Sequence, residues 1–248
     1  MTDGGVTLIC PAKEEGTHIA DTLADLYDAV AAEGYPFEMI CIDDGSEDDT
    51  YEGMRSFASG RPEVRVKRFD TNHGLGYACR HGYAIAKMPH AMFVPTNGMI
   101  DPRSLFDKLD PRAPDKVIMF DVENLAERPL YRRLPSALYH FFMTRYFGIR
   151  CSYIHSMLLL PTSAVQLDDL RAERSFHVAE ILILALRKWN LQPVVRTNRV
   201  QRTTGVAETK SFAWRNLHEI IRQVRHLKRR LPKRIGPPVG PGSRRRAS

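Results

Sequence analysis

Two adjacent carboxylates, Asp43 and Asp44, stand at the end of a short apolar run, Met39 to Ile42, and are followed by Gly45 and Ser46. A run of that length and composition reads as a buried strand, and the Gly-Ser turn marks its C-terminal edge. Neighbouring like charges raise each other's cost of ionisation, so the pair is most easily explained if one of the two binds something. Ligands of open α/β sheets collect beyond such edges. The acids downstream differ in kind: Ser46, Asp48 or Asp49 would cap the next helix, and Glu47 would be solvated.

Three more stretches carry chemistry. Pro11, Ala12, Lys13, Glu14 and Glu15 follow the first strand-like run, and Asn72 to Ala78 leads into a helix. There Gly74 and Gly76 allow positive φ and a close backbone approach, or simply a tight turn. Arg80, one turn further on, would face either the site or solvent. The stretch Val94 to Pro102 holds Asn97, a neutral oxygen donor, and a single acid, Asp101. In the second half Glu180, His177 and His155 have side chains suited to proton transfer, although the histidines read first as packing or surface residues.

These residues need a scaffold of strands that end on one side. Strands are predicted at Val6 to Cys10, Phe37 to Ile42, Val64 to Phe69, Ala91 to Val94, Val117 to Val122, Met157 to Leu160 and Pro193 to Arg199. Helices are predicted over Thr17 to Ala32, where Ile19, Leu23, Leu26 and Val30 keep the three-to-four spacing, and over Asp48 to Ser59, Gly76 to Lys87 and Phe176 to Trp189. The basic, aromatic stretch Arg128 to Tyr146 reads as one or two helices. Alternation of this kind implies βαβ units and a mostly parallel sheet.

Composition narrows the class. The 43% hydrophobic and 26% charged residues are those of a globular chain able to bury a large core. Cys10, Cys41, Cys79 and Cys151 show neither metal-ligand spacing nor a disulfide framework, so reduced, mostly buried thiols are expected. No signal-like N-terminus and no long uncharged apolar run suggests secretion or membrane spanning. The net charge of +7 is uneven: from Arg215 onwards there are 11 basic residues and one acid, leaving 25 basic against 28 acidic in the rest. The basic character therefore belongs to the tail. A helix over Ser211 to Leu231 would place Leu217, Ile220, Ile221, Val224, Leu227 and Leu231 on one face. That face either docks on the domain or lies in a membrane interface with its cations on anionic headgroups. Nucleic acid is disfavoured, because no aromatic platform interleaves the cations.

In order, and each after its own strand, Pro11-Ala12-Lys13-Glu14-Glu15, Ile42-Asp43-Asp44-Gly45-Ser46 and Asn72-His73-Gly74-Leu75-Gly76-Tyr77-Ala78 resemble family 2 glycosyltransferases of the GT-A fold. The usual text of that family is Pro-Ala-x-Asn-Glu, Val-Asp-Asp-Gly-Ser and Asn-x-Gly-x-Gly-x-Ala. More loosely, to about Thr209, Tyr131 to Ser136, the helix ending Tyr146-Phe147-Gly148 and Arg202-Thr203-Thr204-Gly205 look like parts of polyprenyl-phosphate sugar synthases, the dolichyl-phosphate mannose synthase group. The resemblance implies an α/β GT-A fold with a mostly parallel central sheet flanked by helices, followed by a C-terminal amphipathic helix.

It also implies roles. Pro11, Ala12 and Glu15 would flank the nucleoside, and Asp43 or Asp44 would accept from the base. Gly74 and Asn97 would complete the donor side, Arg202 would meet the diphosphate and Arg132 the acceptor phosphate. Glu180 lies where the family often has a carboxylate facing the sugar, and Asp101, the acid nearest to Thr96-Asn97-Gly98, is counted with it as catalytic. Guanidinium forks suit phosphate, and carboxylates suit the donors of a base and ribose. Three departures stand out. Glu14 replaces the usual Asn, and Ser152 stands nearest to where an acid is expected before Met157. Most important, Thr96-Asn97-Gly98 lacks the carboxylates of the usual Asp-x-Asp, which hold Mg²⁺ or Mn²⁺ against the diphosphate. Asn97 and Asp101 are left as the metal position, with weaker binding expected.

The expected protein moves a sugar, with inversion, from a UDP- or GDP-sugar to a polyprenyl phosphate or a similar lipid or phosphate acceptor. One alternative is a transferase with a soluble hydroxyl acceptor in a secondary-metabolite or glycan pathway. The other is a non-catalytic nucleotide-sugar-binding relative. The expected organisation is a transferase domain over 1–210, split into a nucleotide half (1–102) and an acceptor half (103–210). A basic amphipathic helix (211–234) and a disordered basic tail (235–248) would follow. The expected location is cytoplasmic, with the basic helix meeting the inner face of the membrane.

Overall fold

The computed structural model describes residues 4–16, 18–106, 109, 116–123, 130–172, 174, 176–199 and 217–232. Strands β1 (Val6–Ala12), β2 (Phe37–Asp43), β3 (Val64–Arg68), β4 (His90–Phe93), β5 (Lys116–Val122), β6 (Met157–Pro161) and β7 (Gln192–Asn198) form one sheet in the order β3-β2-β1-β4-β6-β5-β7. All pairings are parallel except those of β6, which runs against both β4 and β5. The C-terminal ends of six strands and the N-terminal end of β6 therefore meet along one edge. The mostly parallel sheet is as expected, and the reversal at β6 was not legible in five apolar residues.

Strand alternation divides the core. Val6, Leu8 and Cys10 point to one face and pack with α1 (His18–Ala31), α2 (Thr50–Ala58) and α4 (Pro102–Phe106) through Leu23, Met54 and Phe106. Ile9, Ile40 and Ile42 point to the other, under α3 (Leu75–Ile85), α5 (Leu130–Phe147), α6 (His177–Arg187) and α7 (Leu217–Arg230). Strands buried on both faces are why β1 and β2 read as nearly continuous apolar runs. Helix α3 lies close on β1 because residue 82 is glycine: a Cβ there would sit 2.4 Å from Ile9 Cγ2.

Element boundaries agree with the sequence within a few residues. The basic aromatic stretch forms one helix, α5, and the short α4 after Asp101 was not anticipated. Of the expected 211–231 helix, the described part is α7. Its apolar face docks, with Leu227 and Leu231 buried in the core and Val224 packed against it. The proposed tail at 235–248 lies outside the described residues. Among the described residues no helix is long and apolar enough to cross a membrane, and all four cysteines are free, three of them buried.

Candidate active site at the strand edge

Parallel pairing in register brings Ala12 opposite Asp43, and Asp43 opposite Arg68. The loops after β1, β2 and β3 therefore leave the sheet side by side, and side chains bind them together. Asp44, almost wholly buried, accepts from the backbone N–H groups of His73 and Gly74 at 2.8 Å each, one on each carboxylate oxygen. Its own N–H donates to Ala12 O at 3.0 Å. The Ser46 hydroxyl accepts from Glu14 N at 3.0 Å, and Thr50 Oγ1 accepts from both Glu15 N and Gly16 N at 2.9 Å. Gly45 is required where it is: its φ is 72°, and a Cβ would lie 2.6 Å from Thr71 C. Gly74, at φ 93°, makes the turn into α3.

Asp43 is fully buried, and its Oδ1 accepts from Ser46 N at 3.1 Å. Its Oδ2 has no hydrogen-bond partner and only an ion-pair contact, 3.2 Å, with Arg68 Nε. Arg68 is the lid over this oxygen. Its guanidinium donates to Ser46 O at 3.1 Å, and its Cζ lies 4.7 Å from the centre of the Tyr51 ring. Glu15 lies beside this group half-buried, and burial, with Asp48 adding repulsion, pushes its carboxyl above the usual range. Asp48, not Asp49, binds the start of α2, accepting from Thr50 N at 3.0 Å.

The fourth loop is less open. Thr96 Oγ1 donates to Pro11 O at 2.9 Å and joins this loop to the first. Asn97 Oδ1 accepts from Met99 N at 3.3 Å. Asp101 Oδ1 accepts from Arg103 N at 3.2 Å and so starts α4. That loop has one carboxylate and one amide oxygen, both engaged locally, and no group of three His, Cys, Asp or Glu suited to a metal occurs among the described residues. This donor set does not fit a divalent cation held by the protein.

Beyond β4 the structure rearranges the expected roles. Glu180 lies near the same edge, since His177 at the start of α6 packs on Phe93 with rings 5.4 Å apart. Its carboxylate is not presented as a free base. Oε2 accepts from Arg171 N at 3.0 Å and Ala172 N at 2.9 Å, and Oε1 faces Arg230 of α7 at 3.9 Å. Burial raises its pKa, and those N–H groups and Arg230 oppose the shift. His177 is buried with neither ring nitrogen hydrogen-bonded, and burial pushes its imidazole down to about 4. His155 stacks on Tyr139 with rings 5.2 Å apart. Arg202 and the side chain of Arg132 lie outside the described residues. Sequence reasoning missed Arg68, whose signal was a basic residue ending the strand beside Asp43. It also missed Asp121, at the end of β5, whose Oδ1 accepts from Ser156 Oγ at 2.7 Å.

A mostly parallel sheet with an antiparallel strand beyond β4, and a carboxylate pair among three joined edge loops, defines the GT-A class of α/β protein. Solved structures agree on the fold. S. aureus TarS in complex with UDP-GlcNAc superposes with a TM-score of 0.62 at 16% identity, covering 92% of this chain and 67% of that one. The mannosyltransferase PcManGT of Pyrobaculum calidifontis, in complex with GDP-Man and Mn²⁺, gives 0.57 at 14% identity, covering 90% and 68%. M. tuberculosis glucosyl-3-phosphoglycerate synthase with Mn²⁺, UDP and glucosyl-3-phosphoglycerate gives 0.57 at 15%, covering 91% and 78%. Residues 7–94 match the model described as glycosyl transferase family 2. A curated relative, the succinoglycan biosynthesis protein ExoU of Rhizobium meliloti (strain 1021), is 36% identical over 84 residues, 34% of this chain. The match spans only 23% of that relative's length.

Proposed function

We propose that this protein is an inverting glycosyltransferase that takes a sugar from a nucleotide-sugar donor. The observation that carries the reading is the buried Asp43 Oδ2, an acceptor without a hydrogen bond, set among three loops joined to one another. Such an oxygen suits an N–H of a nucleobase, which relieves the cost of leaving it unmatched. Pro11, Ala12 and Glu15 flank the nucleoside, and Gly74 and Asn97 complete the donor side. Asp44 orders the third loop rather than touching the ligand. Arg202 meets the diphosphate. Where the structural neighbours are in complex with Mn²⁺ as well as a nucleotide, this chain relies on cationic side chains to neutralise the diphosphate, and Asp101 and Asn97 hold the loop.

The acceptor proposed is a phosphate, foremost that of a polyprenyl carrier, met by Arg132. The engagement of Glu180 favours this, because an acceptor that is already an anion needs no general base. The likeness to a succinoglycan biosynthesis protein supports a second reading, a hydroxyl acceptor within a polysaccharide pathway. The protein would act in the cytoplasm, with 1–210 as the transferase domain and 211–234 as a basic helix beside it. The test is calorimetry with UDP and GDP, followed by transfer from labelled UDP- and GDP-sugars to undecaprenyl phosphate or to a soluble saccharide. Binding of one nucleotide and transfer to the lipid are expected. Binding without turnover on any acceptor identifies a non-catalytic relative, and no binding of either nucleotide removes the donor-site reading.

A further inference from the structure

Helix α5 has two apolar faces. One is ordinary: Tyr139, Met143 and Phe147 pack on the core, and His140 lies near Asp121 at the strand edge. The other points to solvent. Leu134, Leu138, Phe141, Phe142 and Tyr146 are 65%, 50%, 60%, 62% and 46% exposed, and the remaining exposed large apolar side chains among the described residues are Tyr77, Val195 and Ile221. At 3.6 residues per turn these five occupy about 140° of the helix circumference. A helix apolar on both sides is one that is covered on both sides.

The charge around the stripe says what covers it. No aspartate or glutamate occurs from Leu130 to Leu167. Arg145 lies within the stripe and is exposed, and Arg150 is exposed just beyond the helix. From α7, Lys228 Nζ donates to Tyr146 O at 2.7 Å and lies 5.1 Å from the centre of that ring. Arg225 and Arg229 are exposed on the same helix. Because the apolar side of α7 is spent on the core, that helix supplies cations rather than an insertion surface. Aromatic and leucine side chains bordered by arginine and lysine, with no acid between, match an anionic lipid surface. The rings enter the headgroup boundary while the cations snorkel to phosphate.

We infer that the exposed face of α5, framed by Arg145, Arg150 and the basic side of α7, docks this protein onto anionic bilayers. The docking does not depend on the transferase reading.

The test is co-sedimentation of the full chain with phosphatidylcholine vesicles, with and without phosphatidylglycerol, in the absence of any sugar nucleotide. Binding is expected only with phosphatidylglycerol. The double variant Phe141→Glu/Phe142→Glu should weaken it about tenfold or more with an unchanged circular dichroism spectrum and melting temperature, since both rings are exposed. Arg225→Glu/Arg229→Glu should weaken it less and reduce its salt dependence, with Arg145, Arg150 and Lys228 still in place. Failure of the wild-type chain to bind anionic vesicles overturns the inference, as does equal binding by the phenylalanine variant. A wild-type dimer in light scattering that the phenylalanine variant converts to monomer, with vesicle binding absent throughout, identifies a second copy as the occupant and also overturns it. Nucleotide binding is unaffected in every case, so this failure is separate from failure of the donor site.

Discussion

The two halves of the molecule use one device for different ends. In the N-terminal half Asp44 accepts from two successive backbone N–H groups, His73 and Gly74; in the C-terminal half Glu180 does the same for Arg171 and Ala172. Asp44 spends one oxygen on each N–H and thereby sets the loop that opens α3, at the rim of the proposed donor site. Glu180 takes both N–H groups on Oε2 and turns Oε1 towards Arg230, so it joins a loop to α7. The same Arg230 donates to Asp169 O at 2.7 Å, and Asp169 in turn accepts from Lys188 and Trp189. A buried carboxylate beside a strand edge is therefore no sign of catalysis until its lone pairs have been counted.

The difference is sharpest under substitution. Removing either carboxylate leaves two backbone N–H groups without their acceptor, so Asp44→Ala should cost about 1–3 kcal/mol and Glu180→Ala, which also removes one of the two acids facing Arg230, about 2–4 kcal/mol. Amide variants separate the two. Glu180→Gln keeps one oxygen able to accept both N–H groups and should lose less than about 1 kcal/mol, whereas Asp44→Asn turns an NH₂ towards one N–H and should lose about 1–3 kcal/mol. Urea denaturation measures all four. If Glu180 were the general base after all, Glu180→Gln would lower kcat about 10²–10⁴-fold; retention of activity is expected.

A slightly smaller effect belongs to the junction of the halves. His177 titrates near 4 when folded against about 6.5 when unfolded. Its depressed pKa means that the unfolded chain binds the proton first. Stability is thus unaffected above about pH 6.5 and falls as pH drops towards 4, by about 3 kcal/mol in all. Replacing His177 with Gln should flatten that fall in denaturant titrations between these pH values. An unchanged slope would show that the buried carboxylates, not the imidazole, govern acid stability.

How far the sequence could be read follows the same divide. The N-terminal half was legible because its signals are local: apolar runs broken by Pro11, by Asp43-Asp44-Gly45 and by Asn72 to Gly76 mark the strand ends one by one. The division of labour within the pair was not, because it depends on a loop some thirty residues away supplying the N–H groups of His73 and Gly74. In the C-terminal half the elements were found but their partners were not. Nothing near Glu180 in the chain announces that residues 171–172 and Arg230 will saturate it. The direction of β6 was equally hidden, since an apolar strand of five residues reads the same in either sense. Both faces of α5 are apolar, so periodicity could not tell its core side from its exposed side.

Within the N-terminal half, Asp43→Asn tests the division directly. It leaves Oδ1 to accept from Ser46 N but puts a donor where Oδ2 was, facing Arg68 or an incoming N–H. Nucleotide affinity should fall by about 1–3 kcal/mol, roughly ten- to a hundredfold, with only a modest change in stability. Arg68→Ala should instead keep or improve affinity, because it opens the route to the same oxygen. Equal affinity in Asp43→Asn and wild type, by calorimetry, would remove Asp43 from the nucleoside site and leave both carboxylates structural.

The smallest effect concerns metal. A hard divalent cation is held by at least one carboxylate together with the phosphates, and Thr96-Asn97-Gly98 supplies none. Asp101 offers one, already engaged with Arg103 N. Nucleotide affinity with and without Mn²⁺ should therefore differ by less than about threefold, well below 1 kcal/mol. Gly98→Asp is the variant that can change this. Its backbone, at φ 66°, lies in the left-handed region, where aspartate is among the residues tolerated, so the strain is modest and the new carboxylate stands one residue from Asn97. Thr96→Asp is the poorer choice, since Thr96 is buried and its hydroxyl holds Pro11 O. New Mn²⁺-dependent nucleotide binding in Gly98→Asp would show that the loop retains the geometry of a metal site and lacks only the charge. Strong Mn²⁺ dependence in the wild-type chain would show that Asp101 leaves α4 to bind it, and that the N-terminal half is less rigid than its hydrogen bonds imply.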